Sequence, residues 1–228
     1  MRGVSHGQGG WGRLKACLGV IGRGFVQSID FLLRRAQGVR EFSQREGCIL
    51  RLSLGRAGMG QALSDGTVIR AGDPVGQIHL WNERLPLMGR AGADLAWARA
   101  FRFQFARSLE ELAAYVAHEP SLAEVKAVYG EMAFALADLE MARRFAQRMG
   151  FDFLERPGAA SVRGRWAQFW DNLYTLMLIW TYNPASLRGK ALGQLRRYQL
   201  WISREKLLAH YARNRGKANA SASEDAMD

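Results

Sequence analysis

Three polar side chains that could bind or transform a ligand stand close together in the sequence: His79, Asn82 and Glu83. They end a segment that alternates as a strand does, with Ile78 and Leu80 on one face and His79 on the other. A histidine titrates near neutral pH and a carboxylate accepts protons, so the group could divide acid and base roles. It could equally hold a polar ligand through hydrogen bonds. The sequence therefore predicts a polar site at this strand end.

No metal or cofactor is expected at this site. The sequence contains neither a Walker loop nor an HExxH metal motif. The other histidines, His6, His118 and His210, stand in unrelated contexts. Cys17 and Cys48 are too few for a disulfide framework and are not spaced like zinc ligands, which favours a reducing compartment.

The composition describes a folded, strongly basic protein. With 228 residues and 48% hydrophobic content, the chain can build one sizeable domain with a proper core. Its formal net charge is +11, which favours nucleic acid, anionic lipid or another acidic polymer as a partner. Nucleic acid is the least favoured of these, because the basic residues are not interleaved with exposed aromatic residues and form no recognised module.

The segment from residue 11 to about 38 has the pattern of an amphipathic helix. Apolar side chains recur at spacings of three and four residues, and the other face carries arginine and lysine. Such a helix could lie on an anionic membrane or pack on the protein's own sheet. No window has the roughly eighteen apolar residues of a membrane span. We therefore expect a cytoplasmic protein, either free or peripheral on the inner membrane.

The first strands are predicted from alternation and from the turns between them. Segments near 48–54, 67–70 and 75–81 are separated by glycine- and proline-containing turns. We expect these three segments to form an antiparallel meander.

Two helices should follow the polar site. Asp94 can cap a first helix that runs to about residue 106, in which Trp97, Phe101 and Phe105 form an aromatic stripe. Such a stripe is more typical of a core than of a base-stacking platform. The sequence Ser-Leu-Glu-Glu that begins at Ser108 forms a capping box and predicts a second helix over residues 109–117.

The second half predicts a strand at 125–135, a helix that ends at Gly150 and a strand at 151–154, with some parallel pairing. Helices are expected at 162–182, where the apolar stretch 173–180 predicts burial, and at 186–211.

The fold class is therefore α+β, a small mixed sheet with packed helices and a helical C-terminal third. We divide the chain into a basic amphipathic N-terminal helical segment (1–46), an α+β domain (47–182), a basic C-terminal helix (183–212) and a disordered tail (213–228).

The stretch from Ala71 to Pro86, AGDPVGQIHLWNERLP, resembles the YkoP-type domain, a bacterial family of unassigned biochemistry that occurs alone or joined to polysaccharide deacetylases. The resemblance continues through a helix bearing Arg99 and Arg102 and spans roughly residues 40–182. It implies an envelope-polysaccharide context and adds those two arginines to the candidate ligand-binding residues. The metal-binding motif of the deacetylases is missing, so their activity is not implied.

Two main hypotheses follow. The first is an accessory protein of envelope polysaccharide or lipid metabolism, peripheral to the inner membrane, that binds a saccharide or another small polar ligand. The second is an acid–base enzyme that acts on a polar metabolite through His79 and Glu83. A GNAT-like acyltransferase is less favoured, because residues 138–154 resemble part of that fold while its glycine-rich pyrophosphate loop is missing. The sequence leaves the oligomeric state open.

Overall fold

A computed structural model describes residues 28–32, 34–89, 92, 94–135, 139–156, 162–182 and 195–212. The strands are β1 (Leu50–Arg56), β2 (Gln61–Ala62), β3 (Val68–Ile69), β4 (Pro74–Leu80), β5 (Ala127–Ala135), β6 (Asp152–Glu155) and β7 (Leu195–Ser203). The helices are α1 (Leu95–His118), α2 (Leu139–Arg148), α3 (Val162–Tyr182) and α4 (Arg204–Leu207), which continues as a π-helical turn (Leu208–Ala212). Two 3-10 turns cover Asn82–Arg84 and Pro120–Leu122.

Five of the strands form one mixed sheet in the spatial order β1, β4, β5, β7, β6. The β4–β5 pair is parallel, and the other three pairs are antiparallel. Strands β2 and β3 form a separate two-stranded sheet. The predicted α+β class with a mixed sheet is confirmed.

One face of the main sheet carries the hydrophobic core. Because side chains alternate along each strand, Leu52, Ile78, Val128 and Leu200 all point to this face, where α1 and α2 cover them. The aromatic stripe of α1 belongs to this core, as predicted. Trp97 stacks on Phe101, and the Phe105 ring contacts Phe101 and two phenylalanines outside α1, Phe145 and Phe151, in tilted or edge-to-face arrangements.

The other face is only partly apolar. Beside the β2–β3 hairpin, Val75, Ala127 and Trp201 form a small second cluster with Leu63 and Ile69. Further along the strands the same face carries polar side chains. This face holds the candidate site.

The predicted meander is wrong, because β1 pairs directly with β4. The segment predicted as the middle strand, 67–70, contains β3, which pairs with β2 outside the main sheet. A short hairpin therefore fills the connection between two neighbouring strands.

A single helix, α1, replaces the two predicted helices. The side chain of Ser108 does not cap a helix end. Its hydroxyl donates to the Gln104 carbonyl (2.7 Å) and accepts from the Ile49 amide (2.9 Å), and the residue is fully buried. Ser108 thus satisfies the backbone at the start of β1, where sequence reasoning placed a helix boundary.

The predicted helix at 186–211 is also wrong over most of its described part. Residues 195–203 form β7, which lies between β5 and β6, and helical structure begins only at Arg204. From residue 162 onward, the described part of the chain is therefore helix, strand and helix. The C-terminal segment contributes an internal strand of the main sheet and is not an appended helix.

The strand, helix and strand predicted at 125–154 are confirmed as β5, α2 and β6, and Gly150 ends the helix region with a positive φ of 78°. The two strands are not neighbours, because β7 lies between them. The expected parallel pairing occurs instead between β4 and β5.

Helix α3 has the predicted bounds but not the predicted burial. Its residues 172–179 are half-buried, and Trp166 and Trp170 are exposed. The N-terminal segment is helical at residues 28–32 and 34–36 and turns at residues 37 and 38. Residues 11–27 and 33 of the predicted helix and the predicted tail at 213–228 lie outside the described residues. No helix in the described ranges is long and apolar enough to cross a bilayer.

Candidate functional site

A row of polar side chains crosses four neighbouring strands on the less apolar face of the sheet. Arg51 of β1 pairs with His79 of β4, and Glu131 of β5 pairs with Gln199 of β7. His79 and Glu131 lie two residues beyond the paired Gln77 and Tyr129 on parallel strands, so they share this face. A guanidinium, an imidazole, a carboxylate and an amide are thereby placed side by side.

His79 stands in the middle of this row and is half-buried. Its Nε2 atom forms a hydrogen bond of 2.8 Å with the hydroxyl of buried Ser53, two residues from Arg51 on β1. Burial lowers the pKa of His79, and the negative charge of Glu131 only partly opposes this effect. The imidazole is therefore neutral at pH 7 and can both donate and accept a hydrogen bond.

Glu131 is the centre of a hydrogen-bond network on the β7 side of the row. Its carboxylate accepts from Gln199 Nε2 (2.9 Å) and from Arg156 Nη1 (3.0 Å), and Arg197 Nη1 lies 3.9 Å away. Burial and the neighbouring charge of Glu131 raise the pKa of Tyr129, so its phenol stays protonated. This side of the row offers a fixed carboxylate, amide groups and a phenol.

Arg51 is the centre of a second group, at the β1 end of the row. Its side chain is only 8% exposed. Its guanidinium lies 3.9 Å from the Trp81 ring, donates to Glu41 (3.1 Å) and lies 3.6 Å from a carboxylate oxygen of Glu83. It is the Nη1 atom that lies near Glu83, beyond hydrogen-bond distance, and neither Nη1 nor Nε has a hydrogen-bond partner among the described residues. Such buried orphan donors are rare in native proteins.

Helix α3 lies against the edges of this polar face. Arg197 donates from Nε to Asn172 (3.1 Å) and from Nη2 to Thr175 (3.3 Å) on that helix. At its other end, burial and the charge of Glu83 raise the pKa of Tyr182 to about 12. The helix therefore contacts both the β7 end and the Glu83 end of the row.

The sequence-predicted site residues are only partly brought together. Glu83 is held by Arg34 (2.9 Å) and by Arg51, whereas His79 is held by Ser53, so the imidazole and this carboxylate belong to separate hydrogen-bond groups. Asn82 lies half-buried in the 3-10 turn after β4.

Arg99 and Arg102 lie on α1, and both are exposed. That helix covers the opposite face of the sheet, with Leu109 and Leu112 in the main core. Among the described residues no contact joins either arginine to His79.

Sequence reasoning missed the hydrogen-bond partner of His79, Ser53, and the other members of the polar row: Arg51, Glu131 and Gln199. Part of the signal was present, because Arg51 and Ser53 alternate with leucines along β1. The neighbourhood of Glu131 and Gln199 depends on strand order, which no local pattern encodes.

The described residues contain no group of three histidine, cysteine, aspartate or glutamate side chains arranged to hold a metal ion. A cavity of 370 Å³ lies elsewhere, at the β6 edge of the sheet, between Arg143 and Gln147 of α2 and Ser64 of the hairpin turn. No residue of the polar row lines that cavity.

The lowered pKa of His79 predicts a pH-dependent stability. The unfolded chain binds a proton near the ordinary pKa of 6.5, before the folded chain does. The contribution of neutral His79 to the free energy of unfolding is therefore complete above pH 6.5. It is lost as the pH falls through the lowered pKa of His79 in the folded protein. Urea unfolding between about pH 7.5 and 5 should show a smaller loss of stability in His79→Gln than in the wild type.

The exposed His118 provides the matched control. His118→Gln should keep the wild-type pH dependence. Equal pH slopes in His79→Gln and the wild type would contradict the burial of a neutral imidazole.

Comparison with known proteins gives one match. The family model described as the YkoP domain matches residues 23–211, which extends beyond both ends of the resemblance seen in the sequence and includes β7 and α4. Searches of curated proteins and of solved structures found no match. Since the matched region covers most of the 228 residues and all five strands of the main sheet, the chain belongs to the YkoP domain family.

Proposed function

We propose that this protein is an accessory, ligand-binding member of envelope polysaccharide or lipid metabolism, and that its polar sheet face binds a hydroxyl-rich, saccharide-like ligand. The observation that carries the proposal is Arg51, a buried guanidinium whose Nε and Nη1 atoms form no hydrogen bond with a described residue, although Nη1 lies 3.6 Å from the Glu83 carboxylate. Buried donors are almost always paired, so an orphan donor marks a place where an acceptor from a ligand can complete the structure.

The other groups of the row suit a ligand with many hydroxyls. A sugar hydroxyl both donates and accepts, and the row offers the acceptor Glu131, the dual-function amide of Gln199 and the neutral His79. The open donors of Arg51 call for an oxygen acceptor, and a carboxylate or phosphate oxygen makes the strongest bond to a guanidinium. We therefore assign an acidic sugar or a sugar phosphate as the ligand class.

The wider context rests on charge. The net charge of +11 suits a protein that works beside anionic glycans or lipids. The alternative of acid–base catalysis by His79 and Glu83 has less support, because Glu83 is engaged by Arg34 and Arg51 and lies in a different hydrogen-bond group from His79. Ligand binding without catalysis does not require Glu83 or His79 to lose its present partners.

Glucuronate and glucose form a matched pair of probes, because they share a ring and its hydroxyls and differ in the carboxylate. At about ten times its Kd, glucuronate should stabilise the wild type by about 1.4 kcal/mol. For a chain of this size that corresponds to a rise in Tm of roughly 3–5 °C. Glucose should give a clearly smaller shift.

The informative variant is Arg51→Met, which fills the same space beside Trp81 without a charge. Glu41 and Glu83 are 40% and 35% exposed, so water can replace Arg51 around them. We expect a loss of stability of no more than about 1 kcal/mol, because removing one partner of an ion pair is costly mainly where it leaves a buried charge unpaired, and Glu83 also keeps Arg34. The response to glucuronate should be lost.

Arg99→Met is the matched control, because Arg99 is exposed on the far side of the sheet. It should keep the full glucuronate response. The proposal would be overturned if Arg51→Met unfolded the protein while neither probe shifted the wild type, since Arg51 would then be a structural ion-pair partner only.

A further inference from the structure

Two pairs of exposed, bulky apolar side chains lie on neighbouring helical elements. Trp166 and Trp170 of α3 are 60% and 58% exposed, and Phe31 and Leu32 of the N-terminal segment are 56% and 63% exposed. The two elements touch, because the Tyr174 hydroxyl donates to the carboxylate of buried Asp30 (2.7 Å). We call the four exposed residues the aromatic patch.

Helix geometry places the patch around that contact. Trp166, Trp170 and Tyr174 follow one another at intervals of four residues, so their side chains share one stripe of α3. Phe31 comes directly after Asp30 on the other element. The four side chains therefore lie within about two helical turns of the Tyr174–Asp30 bond.

The N-terminal segment that carries Phe31 and Leu32 is basic in sequence. Asp30 is buried and paired with Arg34, and Glu83 pairs with both Arg34 and Arg51, so these two carboxylates are balanced by two guanidinium groups. Arg35 and Arg40 are exposed on the same N-terminal segment. The sequence of the first 46 residues holds eight basic residues against three acidic ones. The segment that carries half of the patch therefore has an excess of positive charge in its sequence, although exposed Glu41 lies beside Arg40.

We infer that the aromatic patch is the surface by which this protein lies on an anionic lipid bilayer. Tryptophan is enriched at the level of lipid headgroups because its ring is apolar and its N–H is polar. Phenylalanine and leucine can enter the acyl boundary, while nearby arginines attract acidic headgroups. The inference goes beyond the proposed ligand binding and does not depend on it, since the patch and the polar row use different residues.

A bilayer fits the patch better than a protein surface does. The exposed apolar groups belong to two elements of a strongly basic chain, and each single arginine near a membrane adds about 1 kcal/mol of attraction to acidic lipid. Peripheral binding also needs no spanning segment, and none is found among the described helices. The occupant is thus a membrane surface rich in acidic lipid.

The test is co-sedimentation of the full chain with vesicles, either of pure phosphatidylcholine or with about 30% phosphatidylglycerol. The wild type should bind the acidic vesicles, and binding should fall steeply as NaCl rises to about 0.5 M. The double variant Trp166→Ala/Trp170→Ala should weaken binding roughly tenfold or more. Tryptophan fluorescence of the wild type should shift to the blue on binding.

The double variant Leu95→Ser/Phe103→Ser is the matched control, because both residues are 67% exposed but lie on α1, over the opposite sheet face. It should bind vesicles as the wild type does, and so should Arg51→Met, which separates this test from that of ligand binding. Equal binding by the tryptophan variant and the wild type would overturn the inference. The inference would also be overturned if the wild type did not bind either kind of vesicle and instead formed dimers that the tryptophan substitutions dissociated.

Discussion

Replacing Leu200 by alanine should destabilise the protein by about 2–5 kcal/mol, the range typical of a buried leucine truncated in a core. Leu200 is 3% exposed and lies on the core face of β7, between the buried Tyr198 and Ile202. A cavity at this position would lie in an internal strand that pairs on both sides. Urea denaturation followed by far-UV circular dichroism would measure the loss.

The size of this effect separates a strand from a helix. In an amphipathic helix with Tyr198 and Ile202 on its buried face, Leu200 would lie on the solvent side, and its truncation would cost almost nothing. Arg196→Ala is the control in the same strand, because that side chain is 58% exposed and should change stability by no more than about 0.5 kcal/mol. Similar small effects in both variants would mean that residues 195–203 do not form a core strand.

Replacing Gly76 by valine should destabilise the fold by about 1–3 kcal/mol through overpacking. A β-carbon at this position would lie 2.9 Å from Leu52 Cδ1 and 2.9 Å from Val128 Cγ1. Valine side chains are stiff at χ1, so Val128 cannot turn away without strain. The two extra methyl groups of a valine would add to the clash. Thermal and urea unfolding would both report it.

Gly55→Val is the matched control, since Gly55 lies on the neighbouring strand β1 and a β-carbon there would meet nothing within 4 Å. Neither glycine has a positive φ, so backbone strain does not separate the two substitutions. Valine is favoured in strands, and the control should therefore be neutral or slightly stabilising. Equal losses in the two variants would contradict the close packing of β4 between its neighbours.

Several elements could be predicted from short-range patterns because their causes are local. The alternation of β4 follows from side-chain geometry within one strand, and Ile78 lies in the core as predicted. Gly150 ends the α2 region because glycine accepts a positive φ at low cost. The bounds of α3 likewise follow from a long apolar stretch. Each of these features is decided within about one or two turns of chain.

The errors occurred where two local patterns competed. Around β7 the apolar residues Tyr198 and Ile202 fit a helical spacing of four, while Tyr198, Leu200 and Ile202 fit a strand spacing of two. The strand pattern is the one that forms, because it allows β7 to pair between β5 and β6. At Ser108 the same kind of competition arose, because a serine that could cap a helix instead satisfies the backbone amide of Ile49 from inside a longer helix.

By itself, the sequence determined the α+β class, the positive charge and the extended segment that presents His79. Tertiary structure alone decided the surroundings of His79, which are a hydrogen bond with Ser53 of β1 and the negative charge of Glu131 of β5. The physical reason is that strand order is settled by which hydrophobic faces can be buried together, over separations of 26 to 52 residues between these side chains and His79. The short spacing along the chain predicted that Glu83 would act together with His79. In the folded protein its carboxylate forms ion pairs with Arg34 and Arg51 instead.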